Sequence, residues 1–222
     1  MTNTFFFAKY NNFINKDLVE KLLVRFNTIY HKKLYTSKNG FQIYDLTKND
    51  ILKEPLFLSL LEKIQKKFKL ITNTTDLNFD KLWLVNTSPN NNKKNDLPYI
   101  AHIDKRRYLK AMVYLHDVNI EHGPINLGLA KSMINMEEKR KKLPHDYIKR
   151  KLNTIKEKFL EGNLTAMTGK AGDVIFFDTN TPHKAGIIQD TYYRKVLRFD
   201  FERPSFNPKQ SILNRIINKL YK

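Results

Sequence analysis

The sequence His102-Ile103-Asp104, matched by His183 81 residues later, constrains this chain more than any other feature. In an extended strand, residues i and i+2 face the same way. The His102 imidazole and the Asp104 carboxylate therefore point together while Ile103 turns away. A third ligand for the same ion must arrive on a neighbouring strand, and its distance along the chain is then free. Two histidines and one carboxylate hold one face of a ferrous ion and leave the opposite face open. Arg194 follows eleven residues after His183 on a last strand-like segment. Its guanidinium can grip a carboxylate through two parallel hydrogen bonds that a lysine does not reproduce. Arg198 lies on the same face of that segment, but Asp200 beside it offers a local partner, so Arg194, nearer His183, is the preferred anchor.

The chain has 222 residues, 41% of them hydrophobic, enough for one domain with its own core. Fifteen Phe and eleven Tyr favour strands. There is no cysteine, which excludes disulfides, thiolate metal sites and thiol nucleophiles. The first residues carry neither a basic region nor a long apolar run, so no signal peptide is expected. No apolar stretch approaches the roughly 20 residues that span a bilayer, and a cytoplasmic address is the expectation. The formal net charge of +18 admits an acidic partner, or simply a Lys-, Asn- and Ile-rich composition of the kind an AT-rich genome favours. The basic residues are spread rather than blocked, and no aromatic–basic stacking platform accompanies them. The expected partner is a small-molecule substrate, for which the charge allows an anion. Nucleic acid is not expected, although the charge leaves room for it.

No internal repeat or Gly/Ser linker divides the chain, so one domain is expected over 1–222. Its parts are helical support over 15–70, a jelly-roll core over 80–201, a helical insert over 131–158 and a basic tail over 203–222. Asn15 or Asp17 opens a helix with an apolar stripe at Leu18, Leu22, Leu23 and Phe26. Glu54-Pro55 opens another, with Leu58, Leu61, Ile64 and Phe68 inside and Lys63, Lys66 and Lys67 outside. Residues 5–7, 81–85, 108–118, 125–129, 164–167, 174–177 and 194–201 read as strands. A polar loop falls at 86–96, and turns fall at 122–124 and 169–173. Helices followed by many short strands suggest a mainly β fold with flanking helices, a double-sheet jelly roll.

Two further stretches carry a resemblance. One is Tyr114-Leu115-His116-Asp117-Val118-Asn119-Ile120-Glu121-His122-Gly123-Pro124-Ile125, a strand running into an acidic turn. The other is Gly172-Asp173-Val174-Ile175-Phe176-Phe177-Asp178, leading to His183. With the His183-to-Arg194 spacing, they resemble the phytanoyl-CoA dioxygenase-like family of Fe(II)/2-oxoglutarate oxygenases over about residues 81–201. The resemblance implies a double-stranded β-helix (cupin-like). It also implies Fe(II) held by His102, Asp104 and His183, 2-oxoglutarate chelating the metal and reaching Arg194, and O2 at the last position. Succinate and CO2 would be released as a substrate is oxidised. The retained Asp104 argues against the halogenating branch. Leu127-Gly128-Leu129-Ala130-Lys131-Ser132-Met133 replaces the family's Pro-Gly-Ser-His, so the substrates of relatives do not transfer.

Met112 and Tyr114 alternate on the strand beside the metal and are expected to line the cosubstrate pocket. Tyr99, Trp83 and Arg106 are candidates for substrate contact, and Arg107 and Tyr108 could join Arg106 at the mouth. His116 is a further pocket candidate, while His31, His122 and His145 read as surface or turn residues. The alternatives are a nucleic-acid- or protein-modifying oxygenase of the same fold and a non-catalytic jelly-roll binding protein. In the prolyl-hydroxylase-like branch the two histidines typically lie closer than they do here.

Overall fold

The structure is a computed structural model that describes residues 6–30, 35–36, 41–89, 97–104, 107–128, 155–156 and 164–203. In chain order its elements are β1 (Phe7–Tyr10), α1 (Lys16–Tyr30), β2 (Tyr35–Thr36), β3 (Phe41–Leu46), α2 (Lys48–Ile51), α3 (Pro55–Thr72), β4 (Asn78–Thr87), β5 (His102–Ile103), β6 (Tyr108–Tyr114), β7 (Asn126–Gly128), β8 (Ile155–Lys156), β9 (Leu164–Ala166), β10 (Val174–Asp178), β11 (His183–Lys184) and β12 (Arg194–Glu202). A seven-stranded sheet runs β1-β10-β6-β12-β4-β3-β2, and a five-stranded sheet runs β8-β5-β11-β7-β9. Each paired neighbour is antiparallel. This is the jelly-roll arrangement of a mainly β protein with flanking helices.

Alternation along the larger sheet sorts its residues into two clusters. Leu109, Ala111 and Val113 of β6, Val174 and Phe176 of β10 and Leu197, Phe199 and Phe201 of β12 face outward onto the helices. Met112 and Tyr114, Ile175 and Phe177, and Val196 face inward with Leu127 of the smaller sheet. Period two in the strands thus gives both faces something to bury.

The helices form for local reasons and are held by packing. Asn15 accepts the Leu18 N–H at 3.0 Å, satisfying one of the free donors that open α1. Pro55 occupies the first turn of α3, where its missing N–H costs nothing. The buried stripe of α1 is Val19, Leu22, Phe26 and Ile29, shifted from the expected one because Leu18 and Leu23 lie at its flanks. From α3, the fully buried Phe68 meets Phe176 edge-on at 4.7 Å and Phe201 at 5.3 Å. Lys67 lies over the Tyr10 ring at 3.9 Å instead of standing free in water.

Several elements differ from expectation. The region read as helical support contains the β2–β3 pair, whose register with β4 widens the larger sheet. β6 ends at Tyr114, because the chain then enters the turn whose Gly123 adopts φ +61. A Cβ there would stand 2.6 Å from the Gly186 carbonyl oxygen, so this turn requires glycine. Ile155–Lys156, expected as helix, pairs as strand β8 with β5. The rest of the 131–158 insert, the tail beyond Arg203, His31 and His145 lie outside the described residues.

Candidate metal centre

The two histidines of the candidate triad face each other directly across β5 and β11, where His102 is the register partner of His183. Their ring centroids are 4.3 Å apart, and both residues are buried. Each ring is oriented by a backbone carbonyl two residues upstream: Nδ1 of His102 lies 2.8 Å from Ile100 O, and Nδ1 of His183 lies 2.8 Å from Thr181 O. A carbonyl only accepts, so both Nδ1 atoms carry the proton and both Nε2 lone pairs point away from the carbonyls. Those Nε2 atoms each stand 3.8 Å from Asp104 Oδ1. All three ligand atoms lie within 4.8 Å of one another, and no other group of three such residues occurs among the described residues. Ligands at about 2.1 Å from one ion are roughly 3 Å apart when adjacent, so the two 3.8 Å separations from Asp104 need to close by only about 1 Å to share an ion.

Asp104 lies just past β5, where its N–H donates to Thr179 O at 3.3 Å. Burial works against its ionisation, but Lys110 and the two imidazoles outweigh it and hold the carboxyl well below the usual range. Lys110 Nζ lies 2.7 Å from Oδ2, the oxygen that does not face both histidines. Burial, together with His102, lowers His183 to about 3, which keeps its ring neutral. An ionised acid and a neutral imidazole are the forms a divalent cation requires.

Arg194 opens β12 and is 2% exposed. Its Nε and Nη1 have no hydrogen-bond partner among the described residues. Burial lowers its pKa, while the hydroxyls of Tyr114 and Tyr99 favour its charge. Directly opposite on β4 is Thr87, whose Oγ1 is also buried without a partner among the described residues. A guanidinium and a hydroxyl left open side by side are suited to an anion with two oxygens.

Met112 and Tyr114 face this inner side, and the Tyr114 hydroxyl donates to Met167 O at 2.6 Å. Tyr99 is buried against Phe41, with ring centroids 5.8 Å apart. Trp83 lies on the same wall, with Nε1 buried and without a partner among the described residues. The Arg198 guanidinium covers its ring at 4.3 Å and makes two 2.9 Å hydrogen bonds to Asp200, so Arg198 is locally paired. Arg106 lies outside the described residues. Arg107 does not stand at a mouth: it donates from Nε to both oxygens of buried Asp178, at 3.0 and 2.8 Å. His116 is not brought to the triad. It accepts the Lys195 N–H at 3.0 Å and sits in a ring cluster with His122 and Tyr193. The sequence reading missed Lys110 and Thr87. Lys110 was detectable as a charge two residues before Met112 on an otherwise apolar face, whereas Thr87 carried no signal of its own.

The phytanoyl-CoA dioxygenase (PhyH) family model matches residues 11–196. The fold and the His–Asp–His group thus define a jelly-roll protein of a dioxygenase class, and the chain belongs to the phytanoyl-CoA dioxygenase family. No curated protein matches it. Among solved structures it is similar to the epimerase SnoN in complex with Fe3+, alpha-ketoglutarate and nogalamycin RO, at 16% identity and TM-score 0.65, covering 89% of this chain and 78% of that one. It is similar to HygX from Streptomyces hygroscopicus with nickel, 2-oxoglutarate and hygromycin B bound, at 13% identity and TM-score 0.60, covering 90% and 83%. A Pseudomonas putida prolyl-4-hydroxylase aligns at 15% identity and TM-score 0.56, covering 90% and 94%. At these identities the likeness is one of fold.

Proposed function

We propose that this protein is an Fe(II)- and 2-oxoglutarate-dependent dioxygenase, acting as one catalytic domain, that hydroxylates a small organic or carrier-bound substrate with release of succinate and CO2. The observation that carries the reading is the pairing of a preformed His–Asp–His group with a buried guanidinium left open on the inner wall. Membership of a dioxygenase family supports it. So do SnoN and HygX, which hold a metal with the same 2-oxo acid on this fold. Iron at such a centre supplies the O2-dependent decarboxylation of 2-oxoglutarate and the coupled oxidation of a C–H bond.

The chain's own residues have divided tasks in this proposal. Nε2 of His102 and of His183 and Oδ1 of Asp104 hold the metal. Arg194 takes the distal carboxylate of 2-oxoglutarate, with the Thr87 hydroxyl as a second donor. Met112 and Tyr114 form the wall along the cosubstrate and keep water from it. Tyr99 and Trp83 are placed to meet substrate.

The test is an anaerobic titration of the protein with Fe(II) and 2-oxoglutarate, following the weak visible charge-transfer band of the chelate. The band should form with the natural sequence and be absent from His183→Ala. In Arg194→Ala it should need far more 2-oxoglutarate. A band unchanged in both variants would remove the assignment. Uncoupled succinate formation by the purified protein separates the enzyme from a jelly-roll binder.

A further inference from the structure

We propose that Lys110 is a positioning residue that reserves one oxygen of Asp104 for the metal, an inference that rests on the iron and 2-oxoglutarate reading above. The two carboxylate oxygens are not equivalent. Oδ1 stands 3.8 Å from both histidine Nε2 atoms, whereas Oδ2 is held at 2.7 Å by the Lys110 ammonium. Lys110 lies on β6 two residues before Met112, on the same inner face, and its side chain is only 11% exposed. An ammonium so placed needs a charged partner. Its cross-strand neighbour Asp200 is committed to Arg198 through both oxygens. On the other side its register partner is the apolar Phe177. The charge is therefore directed to Asp104.

A carboxylate with two free oxygens binds a cation through one or both. Three protein ligands leave three positions on a six-coordinate ferrous ion. A chelating 2-oxo acid would fill two of them and O2 would need the third, so a second bond from Asp104 would compete with these ligands. A charge-assisted hydrogen bond, about twice as strong as a neutral one, keeps Oδ2 turned away. Lys110 touches neither substrate nor metal in this scheme and acts through Asp104.

The test compares Lys110→Met, which keeps the length and removes the charge, with Lys110→Arg, which keeps the charge. Each protein is loaded anaerobically with Co(II), whose visible absorption reports coordination number, and then titrated with 2-oxoglutarate. Lys110→Met should retain the far-UV circular dichroism of the natural sequence and still bind Co(II). Its cobalt spectrum should differ from that of the natural sequence, because the second Asp104 oxygen would take the place of a water, and its 2-oxoglutarate affinity should fall by about tenfold, comparable to the loss of a partner behind a metal ligand. Lys110→Arg should restore both readouts at least in part. If Lys110→Met fails to fold, Lys110→Gln is judged by the same two criteria. A neutral variant with the natural cobalt spectrum and natural 2-oxoglutarate affinity overturns the inference. Failure of the natural sequence itself to bind 2-oxoglutarate through the metal sinks the parent reading, and is recognised because every variant then behaves alike.

Discussion

Arg194 keeps a full charge in the interior with two nitrogens unpaired, and Thr87 beside it keeps an unpaired hydroxyl. A buried polar group in that state costs about 1–3 kcal/mol, a cost that a ligand would offset on arrival. Replacing Thr87 by isosteric valine should therefore stabilise the ligand-free protein by up to about 1 kcal/mol. At this chain length that is a rise of about 2–4 °C in Tm, readable by calorimetry. The same variant should bind 2-oxoglutarate more weakly; a variant that is destabilised and binds normally would make the hydroxyl structural. Arg194→Lys keeps the charge but loses the planar fork. Its 2-oxoglutarate affinity should fall about 10- to 100-fold, the loss of one charge-assisted hydrogen bond, as measured by titration of the metal-loaded protein.

At the scale of elements, the two faces of the larger sheet should respond separately. Among the described residues, Phe68 packs in the outer cluster. Phe68→Ala should cost about 3–5 kcal/mol in denaturant unfolding while leaving the metal affinity of the folded protein unchanged. Arg107 is different, because it fastens β6 to the turn that leads into β11. Asp178, bound by Arg107, also accepts the Asn180 N–H at 2.8 Å. Thr179 in that turn accepts the Asp104 N–H through its carbonyl and the Tyr108 N–H through its hydroxyl at 2.8 Å. Both sides of the metal group hang on this turn. Arg107→Ala would remove the salt bridge of the buried Asp178 carboxylate and should cost up to about 3–5 kcal/mol. Unlike Phe68→Ala, it should also weaken metal binding, which a parallel metal titration of the two variants would separate.

Across the whole molecule, what could be read in advance was what local spacing encodes. The i, i+2 rule put His102 and Asp104 on one side, and the helical stripe around Leu22 and Phe26 and the Pro55 start gave α1 and α3. What escaped depends on partners far away in the chain. β3 reads poorly because its Gln42, Tyr44 and Asp45 blur the alternation, and only pairing with β4 fixes it as a strand. Arg107 looked solvent-facing because Asp178, its partner, is 71 residues distant. Lys110 was passed over, because only the fold turns it toward Asp104. The account depends on three side chains sharing one ion, and the most direct measurement is an anaerobic Fe(II) binding isotherm. It should be run on the natural sequence and on His102→Ala, Asp104→Ala and His183→Ala. The account predicts one tight Fe(II) per chain, lost in each of the three variants while circular dichroism shows them folded. Folded variants that bind Fe(II) as tightly as the natural sequence would contradict it.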